Sequence, residues 1–394
     1  MSQERKISQT FSTSIEVVSL SKYIYADNAA TTKLDDKALE AMLPWLREYY
    51  GNASQPYSFA REPKKALADA RATIATCINA EPEEIFFTSG GTESDNWVIK
   101  GRAFSDSSYR ATVTSSFEHH AVLRSCAAIE QLRYPVAYML PTNAGYILPE
   151  TLRSVITNQT GLVSVMYANN ELGSIQPIRK LCDVAHAHGA LFHTDAVQVV
   201  GHVKIDVRDL GVDFLSASAH KFNGPKGVGF LYVRKGCRIL PYADGGAQEF
   251  GLRAGTENIA GIVGMATALK VNCDQIKENE DQLRSLEQII IKRLDTSGIL
   301  YFRNGGEHTL PGLISLSFPG KDGEAILHRL DLMGICISTG SACDSKKTEI
   351  SHVLRAIRLD NSAALGTVRV SLGKYNMPEE AEKIAEALIK VCGC

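Results

Sequence analysis

Ser216-Ala217-Ser218-Ala219-His220-Lys221-Phe222-Asn223-Gly224-Pro225-Lys226-Gly227 is the stretch around which the chain organises itself. Val212-Asp213-Phe214-Leu215 before it reads as a short buried strand, and the Gly, Pro and Asn that close it make a loop. Lys221 therefore stands where a buried strand gives way to a turn. An ammonium group there is costly unless it is paired, neutralised or used covalently. Leu191-Phe192-His193-Thr194-Asp195-Ala196-Val197-Gln198 is a second apolar strand, with Asp195 at its C-terminal end. Two readings fit an acid and a lysine so placed. One is a salt bridge or a solvated loop pair. The other is a pyridoxal phosphate site, in which the lysine joins the cofactor covalently and the acid keeps the pyridine nitrogen protonated so that the ring accepts electrons.

Length and composition set the bounds. A chain of 394 residues, 44% hydrophobic and 22% charged, suits a soluble globular protein of two domains with a large core. A net charge of −2 gives no reason to expect nucleic acid or an acidic membrane surface as partner. No apolar run approaches the roughly 18 residues that span a bilayer. Residues 1–21 are polar and lack a signal-peptide core, and Glu4 and Glu16 argue against a transit peptide. Nine widely spread cysteines fit reduced thiols in a cytoplasm better than a disulfide framework.

Residues 1–20 read as a flexible tail, 21–275 as a large domain whose first residues pack with the small one, and 276–394 as a small α+β domain. Tyr23-Ile24-Tyr25-Ala26-Asp27-Asn28-Ala29-Ala30-Thr31-Thr32 runs from a strand into a small-residue turn. Helical spacing covers 34–50 and 62–79. In Glu84-Ile85-Phe86-Phe87-Thr88-Ser89-Gly90-Gly91-Thr92-Glu93-Ser94-Asp95-Asn96 a strand meets a Gly turn and a helix start. Such a junction offers free N–H groups and a positive dipole end to an anion, although most Gly-Gly turns are only turns. A strand at 111–114 leads to Glu118-His119-His120. No third ligand stands at helical or ribbon spacing from that pair, so no metal is expected and a structural histidine is the alternative. Strands at 136–140 and 161–167, with a helix at 178–188, continue a βαβα order. That order predicts a mostly parallel sheet with helices on both faces and ligands at the C-terminal strand ends, where each candidate lies. The Gly-rich residues 245–258 form either a functional loop or a linker. Residues 259–294 read as one helical stretch closing the large domain.

Two further stretches carry chemistry. In Ile337-Ser338-Thr339-Gly340-Ser341-Ala342-Cys343-Asp344-Ser345-Lys346-Lys347-Thr348, Cys343 has only small and polar neighbours. That places it on a polar, mobile loop, whereas Cys77, Cys126, Cys182 and Cys336 stand in apolar runs and read as core. Lys346 and Lys347 favour a thiolate and Asp344 opposes one, which leaves the net sign open. Arg369, in Val368-Arg369-Val370-Ser371-Leu372-Gly373, needs a bidentate anion inside an apolar strand. That anion is either a structural carboxylate or a ligand.

Taken together, S-A-H-K with G-P-K-G-V-G, T-S-G-G-T-E-S-D-N, E-H-H-A-V, the loop G-G-A-Q-E-F-G-L-R-A-G-T-E-N, T-G-S-A-C and R-V-S-L-G resemble the class V aminotransferase-like enzymes. Within them they resemble the cysteine desulfurases of the NifS/IscS type, over roughly residues 23–390. The resemblance implies the α/β fold type I of pyridoxal phosphate enzymes. It implies Lys221 as the cofactor lysine, and Gly91, Thr92, Ser218 and His220 at the phosphate. Asp195 would hold the ring nitrogen, Gln198 the ring hydroxyl, and His119 would stack on the ring and carry protons. Asn170 would face ring and substrate, Asn28 the substrate mouth, and Arg369 the substrate carboxylate. Thr256 would reach the phosphate of a neighbouring subunit, which implies a homodimer. Cys343 would take sulfur from L-cysteine as a persulfide, leave L-alanine, and pass the sulfur to an acceptor protein of iron–sulfur assembly or thiolation. The chain departs from the family at Ala53 and Tyr57, where N-P-S-S-x-H is usual, and at Asp344 and Lys346-Lys347, which bear on the choice of acceptor. The alternatives are a selenocysteine lyase or aminotransferase of the same fold, or a weakly catalytic sulfur carrier.

Overall fold

The strands of the computed structural model, which describes residues 23–105, 111–339 and 350–393, are β1 (Ile24–Tyr25), β2 (Ile85–Thr88), β3 (Ala111–Ser115), β4 (Val136–Met139), β5 (Thr160–Ser164), β6 (Leu191–Asp195), β7 (Phe214–Ser218), β8 (Gly229–Val233), β9 (Phe302–Asn304), β10 (Leu313–Ser317), β11 (Ile335–Cys336) and β12 (Thr367–Ser371). Seven of them form one sheet in the order β2-β8-β7-β6-β5-β3-β4. β4, β3, β5, β6 and β7 run parallel, while β8 is antiparallel to both β7 and β2. β5, β7 and β8 are buried at every position, as the continuous apolar runs predict for a sheet covered on both faces. The predicted α/β class with a mostly parallel sheet is the observed one.

β9, β10 and β12 form a separate antiparallel sheet in the order β12-β10-β9. Its core includes Leu286, Ile290, Ile314, Leu316, Val368, Val370, Ile384 and Leu388. Ala26 belongs to the same core, because β1 pairs in parallel with β11. The chain then bridges at Asp27 to Ser371 at the end of β12. Residues 26–32 thus run from the small sheet toward the C-terminal ends of the large one.

The single helical stretch expected over 259–294 is two helices, Ile259–Asp274 and Ile276–Ser297, broken at Gln275 (φ −122°, ψ 14°). They serve different cores. The first is apolar around most of its circumference and packs on the helices Asp36–Arg47 and Arg61–Ile78. The second buries Leu283, Leu286, Ile290 and Leu294, at helical spacing, against the helix Pro378–Cys392 and the small sheet. The break lets one run of helical residues change partners. Of the cysteines read as core, Cys126 and Cys182 are buried, whereas Cys77 and Cys336 are half-buried.

Where β8 leaves the loop after Lys221, backbone packs on backbone. A Cβ on Gly229 would lie 2.4 Å from Ala217 O and 2.6 Å from Gly90 Cα. Neither atom belongs to a side chain that could rotate away. Gly229→Ala is therefore expected to lower the unfolding free energy by about 1–3 kcal/mol, as overpacked cores do, read from urea denaturation with unchanged m-value.

Candidate active site

The helix Gly91–Ala103 opens where β2 ends. Gly90 takes φ +147°, ψ −177°, a conformation side chains avoid, and a Cβ on Gly91 would lie 2.4 Å from Val197 Cγ2. The turn is held by the Ser94 and Thr88 hydroxyls, 2.9 Å apart, and by Glu93 Oε2, which accepts from Ser89 N at 3.0 Å. Glu93 Oε1 also accepts from Arg253 Nε at 2.9 Å, which fastens the turn to the Gly-rich loop. Glycine here clears a path to the bare backbone N–H groups of a helix start, where an anion is favoured.

β7 leaves the sheet through a single 3₁₀ turn, Ala219–Lys221. His202 Nε2 donates to Lys221 O at 2.8 Å, and Thr32 Oγ1 donates to His220 O at 2.8 Å. Lys221 Nζ donates to Ala29 O, and to Ala30 O at 2.9 Å. Gln198 Nε2 also donates to Ala29 O, at 2.9 Å. His220 Nδ1 and Thr31 Oγ1 share a bond of 3.1 Å. Burial, with the charges of Lys221 and Lys226 adding to it, pushes His220 down to about 4.

Asp195, 6% exposed, ends β6 and accepts from Val197 N at 2.9 Å. Burial pushes its carboxyl up, against the pull of His119 and Lys221. His119 caps the helix His120–Gln131, with Nδ1 accepting from Ala121 N at 3.1 Å. Nδ1 being an acceptor, the neutral ring carries its proton on Nε2. Burial pushes His119 below its ordinary value and so favours that neutral ring. Arg369, 2% exposed, is the buried cation of β12. Its Nη2 meets Asp27 Oδ1 at 2.7 Å, and its Nη1 donates to Asn170 O at 2.8 Å.

One cavity of about 340 Å³ brings these elements together, a size suited to a small ligand. Gly91, Thr92, His119, Asn170, Asp195, Gln198, Ser218, His220, Lys221 and Arg369, each expected from the sequence, line it. Two expected residues do not. Asn28 turns its amide to Ser371 O at 3.0 Å and Asn376 Oδ1 at 3.4 Å, so it braces the small sheet. Thr256 lies with Thr88, Ser89 and Gly227 in a smaller neighbouring cavity. Cys343 lies outside the described residues. The sequence reading passed over four groups. Asp95, inside a motif already quoted, and His352 line the cavity. Asp27 supplies the structural carboxylate that Arg369 required. Glu118 is buried, accepts from Met166 N at 3.0 Å and is pushed up to about 8 by burial. His352 Nε2 bonds Glu118 O at 2.9 Å, and its ring lies 4.7 Å from that of His120. His119 itself groups with Asp95 and Asp195, one ligand atom from each lying within 4.8 Å of the others.

Chemically, the cavity offers a helix start suited to an anion at Gly91–Thr92, a buried acid at Asp195, a primary amine, an imidazole and a fixed guanidinium. Behind it lies His193, fully buried, which shares bonds of 2.8 Å with Ser164 Oγ and 2.9 Å with Ser216 Oγ. Burial pushes His193 down to about 3. In the unfolded chain this histidine takes a proton near pH 6.5, and in the folded chain it does not. Stability therefore falls as pH drops from about 6.5 toward 3. His193→Gln, which keeps hydrogen bonding without titrating, is expected to flatten that part of the curve, measured as thermal midpoint against pH.

The family model described as aminotransferase class-V matches residues 24–384. A curated relative, cysteine desulfurase IscS of Dictyoglomus turgidum, is 43% identical over 374 residues, covering 94% of this chain and 95% of its own. Among solved structures, a NifS-like protein superposes with a TM-score of 0.89 at 36% identity, over 94% of this chain and 99% of that one. Another, SspA in complex with cysteine, gives a TM-score of 0.80 at 35% identity, over 90% and 99%.

Proposed function

We propose, for a chain that belongs to the class-V aminotransferase family, the activity of a cysteine desulfurase: it converts L-cysteine to L-alanine and transfers the sulfur to a cysteine of its own. The observation that carries this reading is the meeting of Lys221, Asp195, His119, Thr92 and Arg369 in one cavity. Pyridoxal phosphate fits that donor set. Gly91 and Thr92 at the helix start, with Ser218 and His220, would hold the phosphate, where the side chain that a Cβ at Gly91 would bring is excluded. Asp195 would hold the proton on the ring nitrogen, Gln198 would meet the ring hydroxyl, and Lys221 would carry the cofactor. When bound, the cofactor supplies a carbonyl that takes up an amino group and a ring that accepts electrons from the substrate α-carbon.

The chain's own residues supply the rest. Arg369, held in place by Asp27 and by Asn170 O, would meet the α-carboxylate of L-cysteine at the cavity wall and orient the α-carbon. Lys221 Nζ removes the α-proton, being a primary amine held in the cavity by two carbonyls it can leave. His119, neutral and bearing its proton on Nε2, carries a proton to the departing product. Cys343, as thiolate, attacks the substrate sulfur and becomes a persulfide; the carbon left behind is protonated and leaves as L-alanine. The loop then passes the sulfur to an acceptor protein of iron–sulfur assembly or thiolation. We place the enzyme in the cytoplasm. The thiols of the described residues are free, and no helix among those residues is long and apolar enough to cross a membrane. Thr256, in the neighbouring cavity and not in the lining of this one, would contact the phosphate site of a second copy, hence a homodimer.

Alanine and sulfide release from L-cysteine under reductant tests the reading. Wild type should make both. Cys343→Ser should keep cofactor absorbance and make neither, while Lys221→Ala should lose both absorbance and turnover. Full activity of Cys343→Ser would instead mean direct expulsion of sulfur. Arg369→Lys should raise KM roughly tenfold or more through loss of the bidentate geometry, with a smaller effect on kcat.

A further inference from the structure

Asp95 sits in the second turn of the helix Gly91–Ala103, 1% exposed, and lines the same cavity. Its Oδ1 has no hydrogen-bond partner among the described residues. The groups that face it come from three directions. From β6, His193 Nε2 approaches Oδ1 to 3.7 Å, but that ring already spends both nitrogens on Ser164 and Ser216 and is held neutral by burial. Asp195, also from β6, faces it as a second acid. From β7 comes the Ser216 hydroxyl, a donor that favours the ionised carboxyl and so opposes the rise, although burial outweighs it. From the segment after β3 come Glu118, another acid, and His119. Lys221 acts on Asp195 and His119 but is not among the charges that act on Asp95. An ionised Asp95 would therefore be buried beside like charge with no ion pair to a lysine or arginine among the described residues, an arrangement that carboxyl pairs resolve by keeping a proton.

We propose that Asp95 is a positioning residue of the cofactor site: it keeps its proton at neutral pH and stands behind Asp195 as an uncharged hydrogen-bonding group, so that Asp195 alone presents a negative charge to the ring nitrogen. Two carboxyls this close titrate as a pair, and the cation expected at the ring nitrogen draws the ionised form to Asp195 and leaves the proton on Asp95. Burial, with the charge of Asp195 adding to it, raises the Asp95 carboxyl well above the usual carboxylate range. The role toward Asp195 rests on the pyridoxal phosphate reading of the cavity, whereas the protonation of Asp95 is a property of the cofactor-free protein and can be measured apart from it.

The sign of the linkage follows from the raised value. The stability that the bound proton contributes is fully present below the unfolded value near 3.8 and is lost as pH climbs through the folded value. Asp95→Asn and Asp95→Leu do not titrate. The difference in thermal midpoint, variant minus wild type, should therefore rise from pH 4 to pH 8.5 in cofactor-free protein, by on the order of 2 °C or more. Each variant can carry this slope if the other does not fold. A difference that is flat or falls with pH would show a charged, paired Asp95 and overturn the proposal. Pyridoxal phosphate affinity, from tryptophan quenching on the same proteins, tests the second half. Asp95→Asn should bind within about threefold of wild type and Asp95→Leu about tenfold more weakly. Loss of affinity in Asp95→Asn equal to that in Asp95→Leu would mean that the charge matters, and would sink the positioning role. Wild type that binds no pyridoxal phosphate would remove the ring nitrogen and that role with it, while the pH slope still decides where the proton sits.

Discussion

Residues 26–32 carry a set of backbone hydrogen bonds on which both sheets and the cavity depend. Ala26 N donates to Cys336 O at 2.9 Å, and Ala26 O accepts from Ser371 N at 2.8 Å, which joins the segment to the small sheet. Four residues later the same segment is bonded to the lysine turn. Ala29 O and Ala30 O accept from Lys221 Nζ, and Thr32 N donates to His220 O at 2.9 Å. Between these ends Asp27 meets Arg369 at 2.7 Å. A backbone strap with unpaired carbonyls inside a protein would be costly. Here the groups that satisfy them are the amine of Lys221 and the amide of Gln198, both lining the cavity, so the cavity and the seam between the two sheets share one set of bonds. Small side chains make this geometry attainable, since Ala26, Ala29 and Ala30 let the strap lie flat against both surfaces.

The parts of this arrangement that were legible in the sequence are the local ones. A buried strand ending in lysine, a strand ending in aspartate and a strand running into Gly-Gly each declare themselves within a dozen residues, and the βαβα order then places their ends along one edge. Long-range partners were not legible. Arg369 and Asp27 lie 342 residues apart, and nothing in an apolar strand says which of several acids will meet its arginine. Asn28 shows the same limit from the other side. Ala29 and Ala30 after it line the cavity, but in this turn Asn28 sends its amide to Ser371 and Asn376. The break at Gln275 had a faint signal, because hydrophobic residues occupy nearly all faces before it and one stripe after it, yet both halves satisfy a helical pattern. Asp95 stood in plain view inside a motif. Its burial depends on the packing of its helix over β6 and β7, which no local pattern encodes.

The electrostatics of the cavity follow from that topology. Elements that end side by side bring their side chains into one small volume, so Asp195 at the end of β6 and Asp95 of the helix Gly91–Ala103 share it with the lysine of the turn after β7. Histidines that would ordinarily titrate near neutrality are pushed down by burial there, His220 to about 4 and His193 to about 3, and remain uncharged spacers. The cations Lys221 and Arg369 both bond to residues 26–32, at Ala29 O, Ala30 O and Asp27, while Asp195 comes from β6 and Asp95 from the helix Gly91–Ala103. Cations and acids of the cavity are thus contributed by different elements. Glu118 adds a further constraint. It accepts from the backbone of Met166, just past the end of β5, and hydrogen-bonds Ser115 at the end of β3, so this buried acid is fixed to the ends of two neighbouring strands. His119, four residues past the end of β3, is left with its Nδ1 bonded to Ala121 N.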